Sequence, residues 1–384
     1  MVVAVRQGTT VRAVAKRFGV AHSVVQYWVA RAADQRLDRI DFATRRRGPR
    51  RPANKVTPEV EQLVLTVRKA LKQSSALGEF GAVAIREEMV RRHVKELPSV
   101  RRIGRILERR GALDGRKRVR RPPPPRGWYL PEVAAQKAEL DSFDIVEGLV
   151  IQGGYPVEVL NAISLWGGLI ESWPRARITA KTVVSAILRH WQSFGLPSYA
   201  QFDNDTVFQG AHHHRDSLGR VVRTSLALDV VPVFTPPRET GFQAMIENLN
   251  GRWQAKVWSR FPFQSRKQLQ AQSAKFVTAS RRRAASRIEA APSRYCFPED
   301  WELDLQAELH GSVIFLRRTD DSGRARLLGR TFPVDRHWPH RLVRAEVDLD
   351  EDVIRFHALR RREPTWQPLL QTADYHFPRK RFHE

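Results

Sequence analysis

The chain has 384 residues, 42% of them hydrophobic, and a net charge of +25, which suits a soluble protein of two to four domains. Its longest mainly apolar run, Val159 to Ile170, is too short to span a bilayer. Cys296 is its only cysteine, which excludes a disulfide framework and any zinc site built on several thiolates. No hydrophobic run leads to a cleavage site near the start, so a cytoplasmic location is expected.

The charge is uneven. Residues 1–126 hold 31 Lys and Arg against 11 Asp and Glu, whereas the remainder holds 35 against 30. So one-sided a segment repels itself unless a polyanion neutralises it, and double-stranded DNA is the expected partner. No lipidation signal or sustained amphipathic anchor supports a membrane instead.

In chain order, residues 1–44 read as a DNA-binding helix-turn-helix. Thr10 caps a helix with Val11, Val14, Ala15 and Phe18 inward, and Gly19-Val20 turns the chain. A second helix from about Ala21 or Ser23 to Arg31 turns Val24, Val25 and Trp28 inward. It would present His22, Ser23, Gln26 and Tyr27 to the major groove. Met1 to Gly8 is short for a supporting first helix. Residues 45–56, with Arg46 and Arg47, form a basic linker suited to phosphates.

Residues 57–115 read as a second helical unit. Thr57-Pro58-Glu59 starts a helix with Val60, Leu63, Val64, Val67 and Leu71 inward, and Gly81 to His93 forms another. Ser99 caps a third, with Val100, Ile103, Ile106 and Leu107 inward and Arg101, Arg102, Arg105 and Arg109 outward, as in a DNA-reading helix. Residues 116–126 form a basic polyproline linker: Arg118, Arg120 and Arg121 precede four prolines that cannot continue a helix.

Mixed α/β character begins at residue 127 and runs to about 262. Strands are expected over Phe143–Ile151, Val157–Leu165, Gly168–Trp173, Tyr199–Asp203 and Val230–Thr235, and helices over Thr179–Phe194, Ser217–Leu228 and Gly241 to about Arg260. Residues 263–300 form a basic helical connector, 301–366 a small β-barrel and 367–384 a tail.

Asp144 on the first strand, Asp203 at the end of the fourth and Glu247 near the start of the long helix could share one end of such a sheet. Three hard oxygen ligands with open positions suit Mg2+ or Mn2+, and two such ions bound with DNA would activate the attacking oxygen and stabilise the leaving one. Asp141 remains a rival to Asp144, although its strand parity is opposite. His212, His213 and His214 are better read as a DNA-facing loop than a zinc site. Gln254 and Lys256, beyond Glu247 on the same helix, are candidate DNA contacts.

These residues resemble the bacterial insertion-sequence transposases of the retroviral-integrase superfamily. The resemblance rests on Asp203-Asn204 followed by Phe208, on Pro237, Gly241, Glu247 and Asn250, and on Leu140 to Glu147 around the first acid. It implies a multidomain chain with N-terminal all-α helix-turn-helix units, a ribonuclease-H-like core with a mixed five-stranded sheet, and a C-terminal β-barrel. It also implies a metal-dependent DDE enzyme that self-associates on DNA, frees a 3′-OH and joins it to target DNA in a bacterial cytoplasm. The chain departs from the family pattern in Thr240, where Asn usually precedes the Gly. It also departs in the 43 residues between Asp203 and Glu247, a longer interval than usual that the segment around Gly210 can absorb. A DNA-binding repressor or architectural protein with an inactive core is the alternative from a different class.

Overall fold

The computed structural model describes residues 1–43, 56–113, 126–211, 214–239, 241–378 and 381–383. The linker arginines Arg46, Arg47, Arg118, Arg120 and Arg121, and also His212, His213 and Thr240, lie outside the described residues. The chain divides into two compact units, Met1–Glu61 and Gln62–Glu384.

In the first unit, α1 (Val2–Arg6), α2 (Val11–Phe18) and α3 (His22–Ala32) pack around Val14, Ala15 and Val25. The short start of the chain does supply a helix: Arg6 of α1 donates to the carbonyls of Ala33 and Gln35 just past the end of α3. Thr10 caps α2 by accepting from the Ala13 N–H, and Gly19 closes that helix with φ 61°, a left-handed conformation that favours glycine. Phe18 and Val24, expected inward, are exposed because the small core closes over Val14 and Val25 without them.

Next come α4 (Pro58–Ser74), α5 (Ala82–Arg91) and α6 (Val100–Arg109). Ser99 caps α6 as expected, accepting from the Arg102 N–H. Ile103, Ile106 and Leu107 are buried, while Val100, expected inward, is exposed in the first turn.

After α7 (Pro131–Ala134), three antiparallel strands follow: β1 (Leu140–Ile151), β2 (Tyr155–Ser164) and β3 (Ile170–Arg175). Then come α8 (Ala180–Phe194), β4 (Tyr199–Phe202), the one-turn α9 (Thr206–Gln209), α10 (Arg220–Leu226), β5 (Val231–Phe234), α11 (Ala244–Lys256) and α12 (Arg266–Glu289). The mixed five-stranded sheet is present in the order β3-β2-β1-β4-β5, with β4 and β5 parallel to β1. Alternation along the strands separates two apolar layers. Phe143, Phe202 and Phe234 face α8 and α10, whereas Val159, Ile163 and Ile170 face α11 and α12.

The C-terminal region departs from expectation. Its strands are β6 (Ser312–Arg318), β7 (Arg324–Leu327), β8 (Arg330–Pro333), β9 (Leu342–Asp348), β10 (Val353–Leu359) and β11 (Leu369–Asp374). They do not close a separate barrel. β6 pairs parallel with β5, and β9, β10 and β11 follow antiparallel, extending the core to a nine-stranded open sheet. The exposed edge of β5 offers unpaired backbone groups, and an apolar strand such as Val313-Ile-Phe-Leu satisfies them while burying both faces. Among the described residues no helix is long and apolar enough to cross a membrane.

Candidate active site at the carboxyl ends of the parallel strands

The sheet aligns two of the candidate acids by register. Leu140, Asp141 and Ser142 of β1 lie beside Tyr199, Ala200 and Gln201 of β4. Two residues further along the same register, Asp144 falls level with Asp203. The intervening row is aromatic: Phe143 stacks on Phe202 at 5.4 Å, Phe202 meets Phe234 at 6.0 Å and Phe234 stacks on Phe315 at 5.2 Å. This row packs the α8 side, so the next residue on each strand turns to the other face, where α11 lies.

α11 is pinned there by an amide relay. The Asn250 side chain donates to Asp144 Oδ2 at 2.7 Å and accepts from Asn161 Nδ2 at 2.7 Å. Asn161 sits directly across from Asp144 in the antiparallel pair with β2. Glu247 lies one turn before Asn250 on α11, hence on the neighbouring face of that helix. The segment leading into the helix is anchored as well, since the Tyr129 hydroxyl donates to the Phe242 carbonyl and accepts from Gln201. A cavity of about 210 Å³ lies beside this anchor, between Ser142 and Gln201 on one side and Phe242, Met245 and Asn248 on the other.

Electrostatics mark the acids as a repelling group. Burial, then the charges of Asp203 and Glu247, push the Asp144 carboxyl up to about 7 against hydrogen bonds from the Ile145 N–H and from Asn250. Burial also raises Asp203, aided by Asp205 and Glu147, against a hydrogen bond from the Asp205 N–H. Glu147, which sequence reasoning passed over, stands in a β-bulge between Val146 and Leu149, where Gly148 adopts φ 73°. The bulge breaks the strand's alternation, so parity alone could not have assigned Glu147 a side.

Among the described residues no Lys or Arg pairs with Asp144, Asp203 or Glu247. Nor do any three His, Cys, Asp or Glu side chains there form a ready-made metal cage. The donor chemistry nevertheless fits a hard divalent cation. The donors are all oxygen, they repel one another without a counter-charge, and Mg2+ commonly takes one or two carboxylates with its remaining ligands from water and phosphate.

No protein-family model matches the chain, and neither does any curated protein at a significant level. Similar solved structures include the catalytic core domain of BIV integrase, at 16% identity over 36% of this chain and 81% of that one, with a TM-score of 0.27. Another is the HTLV-2 integrase catalytic core domain in complex with magnesium, at 12% identity, 35% and 80% coverage and a TM-score of 0.27. A simian T-cell lymphotropic virus intasome in complex with PP2A regulatory subunit B56 gamma is similar at 12% identity over 69% of this chain and 84% of that one, with a TM-score of 0.33. Identity and TM-score are low throughout, and the chemistry of the site follows from this chain's own residues.

Asp141, the rival first acid, points to the opposite face and is fully buried. Arg294 donates to both of its oxygens at 2.9 and 2.6 Å, and the Trp191 indole N–H donates to it at 3.1 Å. Burial would raise its pKa, but the Arg294 charge and hydrogen bonds outweigh that and hold the carboxyl well below the usual range.

Of the expected DNA contacts, His22, Ser23, Gln26, Tyr27, Arg101, Arg102, Arg105 and Gln254 are exposed. Lys256 is engaged elsewhere: its ammonium donates to the Gly78 carbonyl at 3.0 Å and lies over the Phe80 ring. Nearby, Arg260 caps carbonyls at the end of α4, including that of Gln73 at 2.8 Å. These hydrogen bonds tie α4 and the segment after it to the end of α11, a tertiary demand on Lys256 that its helical position could not reveal. Sequence reasoning also missed Asn161, although a lone Asn in the apolar run Val-Leu-Asn-Ala-Ile is a sign of a buried polar role.

Proposed function

We propose that this chain is a DNA transposase of the DDE type, a polynucleotidyl transferase that cuts and rejoins DNA at transposon ends. The observation that carries this reading is the register of β1 and β4, which sets Asp144 level with Asp203, beside a helix that bears Glu247 and is pinned to Asp144 through Asn250. Asp144, Asp203 and Glu247 would hold divalent cations, Mg2+ or Mn2+, two of them with DNA bound. Such ions supply Lewis acidity to the attacking and leaving oxygens. The chain's own residues supply the rest: the carboxylates orient, the Asn250–Asn161 relay fixes the first of them, and the pinned α11 keeps the third within reach. No protein nucleophile is required.

Two helical modules would read the ends. In the first, α2 and α3 form a helix-turn-helix with His22, Ser23, Gln26 and Tyr27 towards the major groove. In the second, α6 offers Arg101, Arg102 and Arg105. The surplus of basic residues before residue 127 supports this division, as does the exposure of these side chains. The protein would act as a dimer or larger assembly on paired ends in a bacterial cytoplasm. Replacing Arg101, Arg102 and Arg105 together by Ala is expected to flatten the log–log dependence of DNA affinity on salt by about 0.9 for each phosphate no longer neutralised, read by fluorescence anisotropy from low to moderate salt. An unchanged slope would remove α6 from the interface.

A DNA-binding repressor with an inactive core is the second reading, favoured by the lack of a ready-made metal cage among the described residues. The two part on one assay. Linear DNA carrying the ends that flank the gene is incubated with the protein and Mn2+, and products are followed by denaturing gel. Nicks with free 3′-OH ends and joined products are expected from the wild type and not from Glu247→Gln. Joining that survives Glu247→Gln, or tight binding of the ends without any cleavage by the wild type, would sink the transposase reading.

A further inference from the structure

The C-terminal strands do more than extend the sheet. β6 runs parallel to β5 with Ile314 and Phe315 beside Val233 and Phe234. Arg317, two residues on, therefore lies past the end of β5, at the same edge of the sheet as Asp203. Its side chain is turned inward, with 7% of the residue exposed. The guanidinium lies over the Phe315 ring at 4.9 Å, at the end of the aromatic row that runs back to Phe143.

Every hydrogen bond from this guanidinium goes to a neutral acceptor. Nη2 donates to Asn204 Oδ1 at 2.9 Å, Nη1 to the carbonyls of Thr235 at 3.2 Å and Leu316 at 2.9 Å, and Nε to the carbonyl of Arg326 at 3.1 Å. Asn204 in turn donates to the Thr235 carbonyl at 2.7 Å, so Arg317, Asn204 and Thr235 close a ring of hydrogen bonds. Burial lowers the guanidinium to about 9, which leaves it charged at neutral pH. A buried cation without a carboxylate costs stability unless its hydrogen bonds are met, and those of Arg317 are met by fixed neutral acceptors. These hydrogen bonds hold Asn204, the residue immediately after Asp203, whose own carboxylate accepts from the Asp205 N–H at 2.9 Å within the same turn.

We propose that Arg317 is a positioning residue for Asp203: by clamping Asn204 and the Thr235 carbonyl, it sets the turn that aims the Asp203 carboxylate at the metal. The C-terminal strands are then part of the catalytic unit, and removing them would cost chemistry as well as fold. This inference rests on the reading of Asp203 as a metal ligand.

The test uses the full-length protein as wild type, Arg317→Met, Arg317→Lys, Asn204→Ala and the double variant Arg317→Met/Asn204→Ala. Mn2+ affinity is measured by titration calorimetry, cleavage of end DNA supplies kcat and KM, and thermal melts report folding. Loss of an outer partner of a metal ligand weakens metal affinity or activity about tenfold to a hundredfold. That loss is expected for Arg317→Met in Mn2+ affinity and in kcat, with the KM for DNA unchanged. The double variant should lose no more than its worse parent, because both substitutions break one ring. Lys offers a point charge without the planar fork and is expected to behave like Met.

Wild-type Mn2+ affinity in Arg317→Met, additive losses in the double variant, or full rescue by Lys would each overturn the clamp. Should Arg317→Met fail to fold, Asn204→Ala decides: unchanged Mn2+ affinity there overturns the proposal, and a loss of about tenfold supports it. If the wild type binds Mn2+ but never cleaves DNA, it is the transposase reading that fails.

Discussion

Asp144→Asn is expected to abolish DNA cleavage and at the same time make the metal-free protein more stable. The loss in activity should be a thousandfold or more, roughly 4 kcal/mol of transition-state stabilisation, because an amide neither carries the charge nor binds the cation as a carboxylate does. The gain in stability follows from linkage. The folded-state pKa of Asp144 stands at about 7, above its ordinary value of 3.8, so between those values the folded chain binds the proton that the unfolded chain has already released. Stability therefore falls as pH rises from about 4 to 7, and at pH 8 the full penalty is present. A displacement of that size bounds the penalty at about 4 kcal/mol. Asn cannot accept from both the Ile145 N–H and Asn250, which takes back about 1 kcal/mol. A net gain of about 1–3 kcal/mol is expected in EDTA at pH 8, turning into a loss of about 1 kcal/mol towards pH 4, where only the missing hydrogen bond counts. Urea denaturation across that range, paired with the cleavage assay, checks both halves. A variant that is less stable at pH 8, or that still cleaves DNA, would contradict the assignment.

The rival acid should behave in the opposite way. Arg294→Met is expected to destabilise the protein by about 3–5 kcal/mol, because it leaves the Asp141 carboxylate buried without its counter-charge. The Asp141 carboxyl is held below its ordinary value, so in the wild type its contribution is fully present above about pH 4 and is lost only as pH falls through the depressed folded-state value. Without Arg294, burial, which raises the pKa, is opposed only by the Trp191 hydrogen bond and by His190. The deficit of the variant should then be largest at pH 8 and shrink towards pH 5. Adding Asp141→Asn removes the stranded charge and should recover much of the loss, with metal-dependent cleavage retained. Guanidinium chloride melts at several pH values read the first effect, and cleavage by the double variant reads the second. A double variant that folds but does not cleave would return Asp141 to the candidate ligands.

The contrast between these two acids shows how far local reading reaches. Strand parity already separates Asp141 from Asp144, since three residues apart on one strand means opposite faces. Only the tertiary structure shows what occupies each face: Arg294, from the segment after α12, on one side, and Asn250 of α11 on the other. Both partners lie more than a hundred residues away in the chain. The same limit applies to Arg317 and Lys256. One reaches Asn204 across 113 residues and the other Gly78 across 178, and neither pairing has a periodic signature.

The expectation of a C-terminal barrel fails for a related reason. Alternation and turn residues identify strands, but the choice between closing on themselves and joining an existing edge depends on which backbone groups lie unpaired nearby. The open edge of β5 decided it. Glu147 escaped notice because a bulge breaks the rule of two on which side assignment depends.

By itself the sequence determined what short-range physics controls: the Thr10 and Ser99 helix caps, the helix and strand order of the core, the division of charge at residue 126, and the placing of one acid within β1 and another just past the end of β4. Capping, periodicity and charge density are properties of neighbouring residues, and the chain states them directly. The tertiary structure alone decided which acid faces α11, that Asn161 and Asn250 tie strand to helix, and that a C-terminal arginine reaches the Asp203 turn. Those outcomes depend on burial and on partners brought together across the sheet, where a charge or an amide must find its complement once water is excluded.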